Sequence, residues 1–364
     1  MTKIEQVAAL GQAIWLDYID RPLLTSGDLA RLVEEGIRGV TSNPTIFERA
    51  IAGSEAYAED LANAARAGRS TEEIYERLVL DDIHQALEIL HPVYEETKGL
   101  DGYVSLEVDP LLANDTEGTV AEARRLSDKI DRPNLLIKVP ATPAGIPAIE
   151  QLIGEGVNVN ATLIFSQAHY EAVAKAYIRG LEKRVESDET IANLASVASL
   201  FVSRMDTAVD EILEERSETD LQGKIAIANA KMVYQRFQDI LSGERWEALA
   251  KQGARVQRPL WASTSTKNPL YPDTVYVERL IAPHTVNTMP PRTLEAFRDH
   301  GMVATTIYSS IQMAREYLAR LDELDIDIDA VAEDLQNEGV KQFADSFRSL
   351  LETIEEERKE IGGI

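Results

Sequence analysis

Eight short runs rich in aliphatic and β-branched residues alternate along this chain with longer stretches of helical periodicity, and that alternation restricts the fold more than any other feature. The runs span 14–19, 39–43, 102–109, 134–140, 157–165, 195–203, 259–263 and 286–289. Strands separated by helices read as βα units, whose strands pair in parallel. Several runs are apolar at consecutive positions, as strands covered on both faces must be. Eight parallel strands are also the number that closes a barrel. The expected fold class is therefore α/β: a (β/α)8 TIM barrel with additional helical insertions.

The segments between the runs carry helix start and stop signals. Ser26-Gly27-Asp28 opens the pattern LARLVEEG, which ends at Gly36. Asp115 and Thr116 open a helix that runs through Ile130 and stops at Asp131-Arg132-Pro133, and Ser166 is placed to cap the segment AHYEAVAKAYIRGLEKRVE. The intervals 47–100 and 205–258 are longer than one helix requires but keep helical periodicity. They read as insertions within a single barrel domain over 1–364. A C-terminal helix is expected over 327–358, and its segment SLLETIEEERKEIGG reads as a solvated face to which no chemistry is assigned. A chain of 364 residues with 44% hydrophobic content has ample material for one such barrel.

Composition removes several function classes. There is no cysteine, so disulfides, thiolate metal sites and a cysteine nucleophile are excluded. A formal net charge of −25 repels a phosphate backbone, so no nucleic-acid partner is expected. No apolar run approaches the length of a membrane helix, and the first residues lack a signal-peptide core. A cytoplasmic protein with no membrane partner, acting as a monomer or small homo-oligomer, is the expectation. The five histidines, His84, His91, His169, His284 and His300, lie in scattered segments without ligand spacing, although His84 and His91 could share a helix face. There is no Walker-type loop, and the GEG at 154–156 is too short for a dinucleotide signature. No metal and no cofactor are expected.

Active sites of such barrels collect at the C-terminal ends of the strands, so polar residues that interrupt the runs there are the informative ones. Lys138 stands inside Asn134-Leu-Leu-Ile-Lys-Val-Pro-Ala-Thr142. Burying a lysine is costly unless it is paired. Burial favours the neutral form of an amine, and a neutral amine attacks carbonyls. Taken alone, a lysine snorkelling from a strand end or held in a buried ion pair explains the run as well. Its neighbours weigh against that. Asp17 follows Ile14-Trp15-Leu16. Thr41, Ser42 and Asn43 end the second run. Glu107 interrupts Val104-Ser105-Leu106-Glu107-Val108. Asn160 and Thr162, two apart, share one face of the fifth. Polar interior positions on five successive strands point to a shared cavity. A lysine, two carboxylates and hydrogen-bonding hydroxyls and amides are the parts of Schiff-base chemistry with acid/base assistance. Arg204 after the sixth run, and Lys267 after Ser263-Thr-Ser-Thr266, add cations where barrels often bind phosphate; solvated surface charge is the alternative reading.

The stretches GVTSNPTIF, VSLEVDP, LLIKVPAT, VNVNATLIFS, ASLFVSRMD, WASTSTKNPLYPDTVYVERLI and PHTVNTMP together resemble the transaldolases of the longer bacterial type, over essentially the whole chain. The resemblance implies a class I aldolase barrel acting in the non-oxidative pentose phosphate pathway. Lys138 would be its Schiff-base lysine and Asp17 the acid/base for the donor C4 hydroxyl. Glu107 and Thr162 would hold the catalytic water. Thr41, Asn43 and Asn160 would bind sugar hydroxyls or the intermediate, and Ser199 would assist there. Arg204 would bind phosphate together with Lys267 and either Ser263 or Ser265. Phe201 matches the aromatic of transaldolases, where the related fructose-6-phosphate aldolases carry tyrosine. The implied reaction moves a dihydroxyacetone unit from sedoheptulose 7-phosphate or fructose 6-phosphate to glyceraldehyde 3-phosphate or erythrose 4-phosphate. The competing readings are simple aldol cleavage, a metal-dependent aldolase, a non-catalytic sugar-phosphate binding barrel, and an acidic scaffold that binds a partner through its helices.

Overall fold

A computed structural model describes residues 1–362. Eight parallel strands close into a barrel in chain order: β1 (Gln12–Leu16), β2 (Gly39–Thr41), β3 (Tyr103–Glu107), β4 (Leu135–Pro140), β5 (Val159–Ile164), β6 (Ser196–Phe201), β7 (Arg258–Ala262) and β8 (Thr285–Met289). Closure is made by β8 along the full length of β1, from Gln12 against Thr285 to Leu16 against Met289. Each run expected from the sequence overlaps one strand, and the differences lie at the ends. β1 begins earlier because Gln12 is tied in by its side-chain amide, which donates to Leu280 O and Thr285 Oγ1. β6 ends at Phe201 because Ser203 already starts the helix Ser203–Glu215.

The strands are buried at every position. Their outer faces pack on helices and their inner faces on one another. The N-terminal end of the lumen is plugged. Arg258 Nη2 bonds Asp101 Oδ1 at 2.7 Å, Trp15 Nε1 donates to the same oxygen, and Tyr103 lies against Trp15. These side chains close that end of the lumen.

Helices Pro44–Ala52, Ala58–Arg66 and Thr71–Glu96 occupy the stretch between β2 and β3, and Ser203–Glu215, Ile225–Leu241 and Glu244–Ala250 that between β6 and β7. Capping follows the local sequence. Asp115 Oδ1 accepts from Gly118 N–H, Ser166 Oγ accepts from His169 N–H, and Asp131 closes the helix Thr116–Ile130 in the left-handed conformation. The C-terminal helix, Ile328–Gly362, reaches across the open end of the barrel. Gln336 bonds the carbonyls of Ala141 and Leu163, and the ring of Phe343 lies 5.9 Å from Lys138 Nζ. Among the described residues no helix is long and apolar enough to cross a membrane.

Candidate active site

Lys138 occupies the fourth of six positions in β4 and is 4% exposed. Register places Glu107 on one side of it and Asn160 on the other. Lys138 Nζ donates to Ser42 O at 3.0 Å and lies 3.3 Å from Glu107 Oε2. The contact with Glu107 has ion-pair distance without hydrogen-bond alignment: neither Glu107 oxygen has a hydrogen-bond partner among the described residues. Burial pushes the Glu107 carboxyl above the ordinary range, with Lys138 opposing and Asp17 adding to the rise. Thr162 Oγ1 is also buried without a partner, one step along β5 from Asn160 on the same face. Orphaned buried polar atoms are rare in folded proteins, and those of Glu107 and Thr162 are what a bound water or substrate oxygen would satisfy.

Asp17 lies just past β1, part-buried at the mouth. Thr41 Oγ1 donates to Asp17 Oδ1 at 2.6 Å and lies 2.7 Å from Thr288 Oγ1. With its one proton given to the carboxylate, Thr41 must accept from Thr288, so the two hydroxyls run in series toward Asp17. Desolvation raises the Asp17 carboxyl; the Thr41 bond and the charges of Lys138 and Lys267 pull it back down. Asp17 is thus the group that feels both the lysine in the lumen and the cation on the rim.

Beside Lys138, Asn160 ties together the inner faces of three strands. Its Nδ2 donates to Ser105 Oγ at 3.0 Å, and its Oδ1 accepts from Ser199 Oγ at 2.7 Å. Because β3 and β5 flank β4, the Asn160–Ser105 bond passes over the inner face of the strand that carries Lys138. Asn43 caps the helix Pro44–Ala52 by accepting from Ile46 N–H at 3.0 Å, which leaves its amide nitrogen for another partner. Phe201 ends β6 with its ring centroid 5.3 Å from that of Phe165 and 5.4 Å from the Arg204 guanidinium.

The rim is cationic. Burial lowers Arg204 from the usual arginine value, with Glu338 opposing. Lys267 is also lowered, by burial first and then by the like charges of Arg204 and Arg49. Three cations gathered in a chain of net charge −25 repel one another until an anion joins them. Lys267 Nζ donates to Ser265 Oγ at 3.1 Å, and Ser263 Oγ lies 2.9 Å from Ser203 Oγ, so both serines sit beside this cluster. A separate cleft of about 670 Å³ on the barrel's flank, lined by Glu171, Lys175 and Arg179, lacks this character. Its cations are already neutralised, Lys175 by Glu171 and Arg179 by Glu150.

The candidate site residues on the strands and the loops after them therefore lie toward one end of the barrel. Several neighbours were not anticipated: the Ser42 carbonyl, Thr288, Arg49, Gln336 and Phe343. Thr288 stands in the PHTVNTMP stretch two residues beyond Val286, so its inward face was readable. Arg49 follows Asn43 by six positions along one helix, and nothing in that spacing marks it. Among the described residues no cluster of three or more His, Asp or Glu is placed to hold a metal.

Comparison with known proteins identifies the family. The profile of the Transaldolase/Fructose-6-phosphate aldolase family matches residues 14–354. A transaldolase of Parafrankia sp. (strain EAN1pec) is 50% identical over 360 residues, covering 97% of both chains. One from Thiobacillus denitrificans is 49% identical over 97% of this chain and 100% of its own. One from Trichodesmium erythraeum is 47% identical over 98% of this chain and 97% of its own. The chain belongs to the transaldolase/fructose-6-phosphate aldolase family.

Proposed function

We propose that Lys138 carries the chemistry of this enzyme as a Schiff-base lysine, with Asp17, Glu107 and Thr162 as its acid/base and water-holding partners. The activity is that of a transaldolase, moving a dihydroxyacetone unit between sugar phosphates. The observation that carries the assignment is a lysine amine buried in the lumen, against a carboxylate whose oxygens have no hydrogen-bond partner and within the field of Asp17.

The Lys138 amine adds to the C2 carbonyl of the ketose phosphate. Loss of water gives the imine, the water leaving toward Glu107 and Thr162. Asp17 takes the C4 hydroxyl proton as the C3–C4 bond breaks. The electron pair of that bond passes into the imine, giving an enamine and releasing the first aldehyde. A second aldehyde enters, the enamine C3 attacks it, Asp17 returns its proton to the new hydroxyl, and water releases the product ketose. Thr41, Asn43, Asn160 and Ser199 hold the sugar hydroxyls and the intermediate. Arg204 and Lys267, with Ser263 or Ser265, take the phosphate. The phenyl ring of Phe201 supports transfer over cleavage, because it offers no hydroxyl to position a water that would protonate the enamine before the second aldehyde arrives. No resident cofactor enters this scheme. The reading extends to a cytoplasmic monomer or small homo-oligomer that binds no nucleic acid.

The test is borohydride reduction in the presence of fructose 6-phosphate, followed by peptide mass spectrometry. A dihydroxyacetone-sized adduct on Lys138, absent from Lys138→Ala, is the expected result. An adduct on another lysine, or none on folded protein, would overturn the assignment and favour a non-catalytic binding barrel.

A further inference from the structure

The C-terminal helix places a glutamine where strand pairing fails. Ala141 N–H donates to Thr162 O at 2.7 Å, so β5 stays paired with β4 there, while its register against β6 shifts between Ala161 and Ile164. At that irregularity Leu163 takes φ +56°, the left-handed region that a branched apolar residue occupies only under constraint, at a cost of roughly 1–2 kcal/mol. The side chain of Gln336, itself buried, enters here. Its Nε2 donates to Ala141 O at 3.0 Å and to Leu163 O at 2.9 Å. Both partners are carbonyls, so the amide orientation is settled by chemistry: only the nitrogen can face them. One turn on, Gly339 allows the helix this close, since a Cβ there would stand 2.8 Å from Leu163 Cδ2. The next residue on the same face, Phe343, lies over Lys138.

From this geometry we infer that Gln336 is a positioning residue for the reaction: by bridging the Ala141 and Leu163 carbonyls it holds the β5 irregularity and thereby aims the unpartnered hydroxyl of Thr162 into the lysine pocket. The inference rests on the Schiff-base reading above. Leu163 follows Thr162 directly, so a change in its backbone rotates the threonine before it. Lys138 sits on the adjoining strand β4 and Glu107 on β3 beyond it, and the water that Glu107 shares with Thr162 in that reading would lose one of its fixed partners.

The experiment is a double-mutant cycle between Gln336→Met, which keeps length and volume but not the donors, and Thr162→Ala. It is read in steady-state turnover and in the rate of borohydride-trappable imine formation. The wild-type adduct on Lys138 is established first, so that failure of the Schiff-base reading is seen separately. Gln336→Met alone should lower kcat and the imine-formation rate about 10- to 100-fold while KM changes less than about threefold. In the Thr162→Ala background it should cost less than about threefold more. Equal losses in both backgrounds, or a loss confined to KM, would overturn the inference. If Gln336→Met does not fold, Gln336→Glu carries the test, because a carboxyl donates to a carbonyl only when protonated. Glu338 and Arg204 carry charge beside this helix, and Asp17, Glu107 and Lys138 in the site, in both proteins alike, so activity is taken as a ratio to wild type. Burial against two carbonyls raises the introduced carboxyl above the ordinary range, so the ratio should rise as pH falls through the neutral region, and a ratio flat from about pH 9 to about pH 5 would overturn the inference.

Discussion

Desolvation in the barrel mouth raises the Asp17 carboxyl above the ordinary aspartate range, although the Thr41 bond and two lysines pull the other way. Folding therefore works against its charge. Between the unfolded value, about 3.9, and the raised folded value, the native state binds more protons than the unfolded chain. Stability accordingly falls as pH rises through that window, and the deficit persists above it. Asp17→Asn should raise the melting temperature at pH 8, with the gain fading as pH falls through the raised range and gone by about pH 4. The same change should cost roughly 10²- to 10⁴-fold in turnover by removing the proposed acid/base. Calorimetry across pH, paired with initial rates, checks both halves; a lower melting temperature at pH 8 would mean that the Thr41 and lysine contacts outweigh burial. At this scale the sequence was most readable where a residue broke an apolar run, as Lys138 and Glu107 do. It was silent where the contact is a main-chain atom, as with the Ser42 carbonyl, because every residue carries one. It was silent too on Arg49, whose role depends on where its helix points and not on what surrounds it in the chain.

Elements position these residues through their ends. Gly145 opens the helix Gly145–Glu155 that follows β4, and a Cβ there would lie 1.8 Å from Pro140 O, a backbone atom at the end of the strand that carries Lys138. No rotamer relieves that clash, so the helix must move off the strand. Gly145→Ala should destabilise the fold by about 1–3 kcal/mol and lower turnover with it. Denaturant unfolding and activity on the same preparation would show whether the two losses travel together; an alanine variant of native stability would mean that β4 and its helix are less rigidly joined than this contact requires. Strand interiors were legible because their apolar runs state the burial directly. Strand ends were not, because hydrogen bonds from elsewhere decide them: Gln12 extends β1 through Leu280 and Thr285, and the β5 irregularity at Leu163 is held by a helix that begins at Ile328. The C-terminal helix was legible as a helix from its periodicity. Its engagement with the active site was not, since Gln336 donates to Ala141 across 195 residues of chain.

The whole molecule presents a dianionic substrate with two opposed fields. The chain carries a net charge of −25, yet Arg204, Lys267 and Arg49 gather at the one mouth where the lumen opens. Repulsion from the distributed surface charge acts over long distances, and attraction by the cluster acts at contact. Salt separates them, because the screening length shrinks from about 30 Å at 0.01 M to about 10 Å at 0.1 M and about 3 Å at 1 M. Raising salt through the first interval should weaken the general repulsion while sparing the partly buried cluster, so kcat/KM for fructose 6-phosphate should rise. Raising it through the second should weaken the cluster as well, and kcat/KM should fall. Lys267→Ala should flatten the falling limb, and unphosphorylated fructose should show neither limb. If kcat/KM instead falls from the lowest salt onward, the three cations already dominate the field an approaching phosphate meets, and the acidic surface has no part in substrate capture.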